Sequence, residues 1–105
     1  MRKEIVNQEI DLGERRVVIK KAWKVDKSKE YPDGIEYALQ YLYNKDGLWL
    51  QVARIDNQLH ESRPGSHIHI MKREEVIWED LSLPEAKERI IDIGESVIRN
   101  IIDRI

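Results

Sequence analysis

Between positions 35 and 43 every second residue is apolar: Ile35, Tyr37, Leu39, Tyr41 and Tyr43. A period of two marks a strand with one buried face, because successive side chains point to opposite sides of a pleated backbone. Asn44-Lys45-Asp46-Gly47 follows, and its Asp-Gly step suits a tight hairpin whose central residues need positive φ. The chain is thereby committed to an antiparallel pair. Leu48, Leu50 and Val52 line the returning strand, and Arg54 and Asp56 are predicted to extend that same face.

Further strands flank this hairpin. Val6, Ile10 and Leu12 recur at even spacing and Gly13 ends the run. Val17, Ile19, Trp23 and Val25 then alternate with Arg16, Lys20 and Lys24, giving one oily and one basic face, interrupted by Lys21 and Val18. Residues 57–66 read as a polar loop, His67 to Met71 as a short strand, and Val76-Ile77-Trp78 as one more. Ser82-Leu83-Pro84-Glu85 has the form of a capping box with proline in the first turn. Ala86, Ile90, Ile93, Val97 and Ile101 follow helical spacing, so a helix of about 23 residues, roughly 35 Å long, is predicted. Strands followed by one terminal helix define an α+β fold: an antiparallel sheet of five or six strands with one long C-terminal helix on one face. No linker or repeat divides the chain, so residues 1–105 are expected to form a single domain.

One helix covers one sheet face. By simple alternation the reverse face carries Ala38, Leu42, Trp49, Ala53 and Ile55. A contiguous apolar patch of that kind marks a partner, and a homodimer is the expectation.

Composition narrows the function. With 0 Cys, disulfides, thiolate metal sites and cysteine nucleophiles are excluded. No run approaches the roughly 20 apolar residues of a spanning helix, and Met1 to Val6 has no apolar core of signal-peptide length, so a cytoplasmic protein is expected. The many isoleucines, with Lys and Glu on the remaining surface, are compatible with a thermophile. The formal charge of −2 hides a gradient: residues 14–30 carry seven basic groups against three acids, and residues 72–105 six against nine. Arg16, Lys20 and Lys24 form an electropositive stripe suited to phosphate, or a solvated face. Neither a Gly-x-Gly-x-x-Gly nor a Walker sequence is present, so no nucleotide cofactor is expected.

All three histidines fall between positions 60 and 69. Residues two apart on a strand project to the same side, which sets His67 beside His69. If the strand ending at Asp56 pairs with the strand beginning at His67, then Arg54, Asp56, His60 and Arg63 converge on the two imidazoles, with Asn57 and His60 as supporting residues. Histidines beside a carboxylate and arginines suit metal-independent RNA cleavage. Imidazole moves protons near neutral pH, and arginine stabilises the charge that develops on phosphorus. In that scheme His67 and His69 are acid and base, Asp56 orients one ring, and Arg54 and Arg63 hold phosphate, with no cofactor. The same pair could instead ligate a transition metal, with His60, Asp56 or Glu74 as third ligand. His67-Ile68-His69 followed by Glu74 resembles the first metal motif of the cupins, whose second motif has no counterpart here. A non-catalytic protein-binding module is the remaining alternative.

From about Ile35 to Ile105 the sequence resembles the TumE-like toxin family. The matching residues are Tyr37, Tyr41 and Tyr43 in an aromatic hairpin, then Arg54, Asp56, Asn57 and His60, then Pro64, His67 and His69 before a terminal helix. The resemblance implies an intracellular, growth-inhibiting prokaryotic protein neutralised by an antitoxin and acting on RNA or translation.

Overall fold

The computed structural model describes residues 2–59 and 65–102. Its strands are β1 (Lys3–Gly13), β2 (Arg16–Lys24), β3 (Ile35–Lys45), β4 (Leu48–Asp56), β5 (Ser66–Ile70) and β6 (Ile77–Glu79), followed by helix α1 (Leu83–Asn100). They form one six-stranded sheet in the order β1-β2-β3-β4-β5-β6, every neighbouring pair antiparallel. The sheet is therefore a meander in which each strand lies beside its sequence neighbour. The Asp46-Gly47 hairpin is present, both residues at positive φ (54° and 87°), with the Gly47 N–H donating to Asn44 Oδ1 at 2.9 Å. Glu14 and Arg15 make the corresponding turn between β1 and β2, also at positive φ.

The helix begins where the capping box places it. The Glu85 N–H donates to Ser82 Oγ, and the Ser82 N–H donates back to Glu85 Oε1 at 2.9 Å. The Ser82 N–H first, and then its hydroxyl, hold the Glu85 carboxyl below its ordinary value. The helix is shorter than predicted: 18 residues, about 27 Å, with Ile101 as its C-cap. Ile102 lies beyond the helix yet is buried against the core, so the apolar stripe outlasts the helical backbone. The predicted residues 103–105 lie outside the described residues.

The helix packs across β3 and β4. Ala86, Ile90, Ile93, Val97 and Ile98 meet Tyr37, Leu39, Tyr41, Val52, Ala53, Ile55 and Ile68. The helix approaches Tyr41 so closely that a Cβ on Gly94 would stand 2.5 Å from the ring. A mid-helix glycine costs about 1 kcal/mol against alanine, and here it creates the trough in which the tyrosine lies. The Tyr41 hydroxyl donates to the Glu95 carboxylate, which also takes Arg16 Nη1 at 3.1 Å. Burial first, then Glu95, pushes the Tyr41 phenol up. Tyr37 closes the N-terminal end of the helix. Its hydroxyl lies 2.5 Å from Ser66 Oγ and 2.8 Å from the Leu81 carbonyl, and burial pushes its phenol up to about 12.

Strict alternation fails in β4, with consequences for every face assignment. Tyr41 pairs with Ala53 while Leu42 pairs with Gln51, so Val52 is an inserted bulge residue, its carbonyl accepting the Met71 N–H at 3.0 Å. A bulge of one residue inverts the phase of everything beyond it. Val52 and Ala53 both face the helix, with exposures of 0% and 1%, and Ile55 follows them. Arg54 and Asp56 consequently lie on the opposite face from Leu50 and Val52, not on the same one. The apolar reverse face predicted for a homodimer loses Ala53 and Ile55 to the core and keeps Ala38, Leu42 and Trp49.

The faces of β2 are also redistributed. Val18 and Ala22 pair with Tyr41 and Tyr37 and are fully buried on the helix side, a face they share with the half-buried Arg16 and Lys20 and the exposed Lys24. Val17, Ile19, Lys21 and Trp23 point the other way. Small or branched residues under the two tyrosines fit the core where Trp23 would overfill it.

Gly94→Ala should destabilise the fold by about 1–3 kcal/mol through overpacking against Tyr41. Thermal unfolding monitored by circular dichroism checks this, and an unchanged or higher melting temperature would contradict the close approach.

Candidate active site on the uncovered sheet face

Among the described residues no helix packs on the second face of the sheet. The register of the last three strands assembles a polar cluster there. Arg54 stands opposite His69 and Asp56 opposite His67 across β4 and β5, and His67 stands opposite Trp78 across β5 and β6. Cross-strand neighbours on one face have Cβ atoms roughly 5 Å apart, so their side chains meet directly. Antiparallel pairing of these strands is what brings together groups that are eleven or more residues apart in sequence.

Asp56 is the hub. It is 2% exposed and accepts three hydrogen bonds: from His67 Nε2 at 2.8 Å and the Gln58 N–H at 3.1 Å on Oδ1, and from Arg54 Nε at 3.0 Å on Oδ2. A buried carboxylate is tolerated only with such donors around it. His67 is 5% exposed, and its ring lies against two others. The Trp78 centroid is 5.1 Å away, and His69 meets it edge-on at 5.3 Å with an interplanar angle of 86°. His69 is half-buried and nearer the surface. Polar contacts continue outward from Arg54 Nη2 to Gln58 Oε1 (3.4 Å), from Gln58 Nε2 to Glu36 Oε2 (3.1 Å), and from Arg2 to the same Glu36 oxygen. The Arg2 guanidinium in turn lies 4.1 Å above the Trp23 ring.

Of the residues singled out from the sequence, Asp56, His67, His69 and Arg54 are brought together. Asn57 stands beside them in a structural role: its Oδ1 accepts the Tyr37 N–H at 2.7 Å and its Nδ2 donates to the Ile35 carbonyl at 2.9 Å, clamping the start of β3. His60 and Arg63 lie outside the described residues. Arg16, Lys20 and Lys24 do not join the cluster, since they project from the helix-covered face and Arg16 is engaged by Glu95. Glu74 is exposed beyond β5 and is not in the metal-capable group. That group is Asp56, His67 and His69, whose ligand atoms lie within 4.8 Å of one another. Trp78, Gln58 and Lys21 were not anticipated as site residues. Pairing Val76-Ile77-Trp78 with the histidine strand points to Trp78, Gln58 follows the phase that the bulge sets in β4, and Lys21 follows from the unbroken β2–β3 register.

A carboxylate holding one imidazole, a second imidazole at its edge and a guanidinium across the ladder thus meet on the face of the antiparallel sheet that no described helix covers. The chain belongs to the toxin TumE family, whose model matches residues 2–105 and so extends over β1 and β2 as well. It is thereby a toxin of a toxin–antitoxin-like module, with an antitoxin as the partner that module supplies. No curated protein and no solved structure matches the chain. No helix among the described residues is long and apolar enough to cross a membrane.

Asp56→Ala strips acceptors from Arg54, His67 and the Gln58 N–H, and should lower unfolding stability by about 1–3 kcal/mol. Urea denaturation measures it. A loss below about 0.5 kcal/mol, the level of an ordinary surface change, would mean that the carboxylate is not the hub.

Proposed function

We propose that this toxin is a cytoplasmic, metal-independent ribonuclease whose acid and base are the two imidazoles of the uncovered face. The observation that carries this reading is the Asp56–His67 hydrogen bond of 2.8 Å with His69 stacked edge-on behind it. A ring held by a carboxylate keeps a defined tautomer and orientation, and a neighbouring ring at the surface completes a donor–acceptor pair. Such a pair cleaves RNA without a metal. The base takes the proton of the ribose 2′-hydroxyl, and the 2′-oxygen attacks phosphorus. The acid then protonates the departing 5′-oxygen as its bond to phosphorus breaks. The products are a 2′,3′-cyclic phosphate and a 5′-hydroxyl. His69 is the imidazole that substrate reaches first, His67 with Asp56 is the second proton carrier, and Arg54 faces the charge gathering on the phosphorane.

His69→Ala should reduce RNA cleavage by about 10²–10⁴-fold, the usual share of a general acid or base. The His67→Ala/His69→Ala double change should abolish both cleavage and growth inhibition, with circular dichroism reporting whether the sheet is retained. Cleavage at the wild-type rate in folded His69→Ala protein sinks this assignment.

One distance favours a second reading, a transition-metal site, because Asp56, His67 and His69 offer ligand atoms within 4.8 Å of one another. One carboxylate and two imidazoles are a recognised donor set. Two features weigh against it: a cation would have to replace the direct Asp56–His67 bond, and the Arg54 guanidinium already occupies Asp56 Oδ2. Elemental analysis of purified protein decides between them. Stoichiometric metal with activity lost to a chelator establishes the metal site, and chelator-resistant activity establishes the metal-free scheme.

A further inference from the structure

All three tryptophans of the chain lie on the uncovered face. Trp23 on β2 is paired with Glu36, Trp49 on β4 with Asn44 and Trp78 on β6 with His67. The two largest buried side chains of the helix face, by contrast, are Tyr37 and Tyr41. Beside the acid–base cluster the uncovered face is indented by a groove of about 170 Å³. Its cause is local. Ala38 sits on the central strand between longer side chains, with Lys21 as its neighbour on β2 and Asp56 as its neighbour on β4. Ile19, Lys21 and Trp23 make one wall, Arg54 and Gln58 the other, and Gln40 closes an end. The lining therefore carries Lys21, an indole and the Arg54 guanidinium, whose Nε is paired with the buried Asp56 carboxylate and whose Nη atoms face outward from that pair. Glu36, the nearest acid on β3, is neutralised by Arg2 at 2.7 Å. On the edge strand Glu4 lies opposite Trp23, and Glu9 and Asp11 lie opposite Ile19 and Val17.

We infer that this groove seats one base of a single-stranded RNA, which deepens the ribonuclease reading and rests on it. The base lies over Ala38 against the Trp23 edge of the groove, and Lys21 and Arg54 contact the phosphates on either side of it. The neighbouring phosphate is then delivered across Arg54 to His69, its partner in the ladder. Aromatic walls accept any base through its π-face, and cations alongside follow the backbone. A base stacked and paired in a duplex cannot enter a depression of this size, so the site selects single strands. The acids of β1 repel phosphate and turn the RNA path toward β4 and β5.

The test uses His69→Ala protein, so that binding is read without cleavage, and fluorescence anisotropy with a labelled single-stranded RNA oligonucleotide and its duplex. Single strands should bind at least tenfold more tightly than duplex. Lys21→Glu, and separately Ala38→Leu, which fills the floor without changing charge, should each weaken single-strand binding tenfold or more. Lys20→Glu, one residue away but on the helix side, should leave it unchanged. The slope of log K against log salt should fall by about 0.7 on loss of the Lys21 contact. Equal effects of Lys20→Glu and Lys21→Glu, or no binding of single strands, overturn the groove assignment. Wild-type cleavage with KM unmoved by Lys21→Glu and Ala38→Leu overturns the groove and leaves the ribonuclease standing. The expected binding pattern with no cleavage by wild-type protein does the reverse. Protection of Lys21 by a bound protein partner, with no RNA bound, makes the face a protein-docking surface and overturns the inference.

Discussion

A single inserted residue, Val52, determines what each side of this sheet carries. Before it, Leu50 faces the helix, and after it Ala53 and Ile55 do, because the bulge lets Val52 and Ala53 point the same way. Without that insertion Arg54 and Asp56 would be driven under α1 and Ile55 out into solvent, an arrangement that loses apolar burial and strands a carboxylate in the core. The Met71 N–H bonded to the Val52 carbonyl satisfies the bulge's own backbone, so the irregularity leaves no orphaned acceptor there. The core and the candidate site are thus two results of one backbone feature.

The two faces divide the physical work. On the helix side, packing is close enough that Gly94 must lack a side chain, and the Tyr37 and Tyr41 hydroxyls that lie there are hydrogen-bonded. On the other side a carboxylate of 2% exposure is held by a guanidinium, an imidazole and a backbone N–H. Such a network fixes side-chain orientation at a desolvation cost that apolar residues would not incur.

Much of the fold was legible from periodicity. The alternation from Ile35 to Tyr43, the Asp46-Gly47 turn and the Ser82–Glu85 capping box each act through near neighbours, and each is present in the structure. The terminal helix was read too long, because the apolar spacing continues to Ile102 after the backbone has left the helix. The meeting of Asp56 with His67 and His69 was anticipated from the expectation that their strands pair. Lys21, Gln58 and Trp78 were not, since each joins the cluster or the groove beside it only through cross-strand neighbours. The basic stripe of Arg16, Lys20 and Lys24 is a real period-two pattern, but its direction is set by which residues of β2 fit beneath Tyr37 and Tyr41.

The sequence by itself determined the element types, their order, the hairpin and the helix start, because those depend on residues a few positions apart. It determined too that imidazoles, a carboxylate and guanidinium groups lie close along the chain. Tertiary structure alone decided the phase of β4, hence which face of the sheet is core and which carries the polar cluster. A period of two says that two faces exist. Which one the helix covers follows from packing against α1 and from a bulge whose compensating hydrogen bond comes from Met71, just past the end of β5.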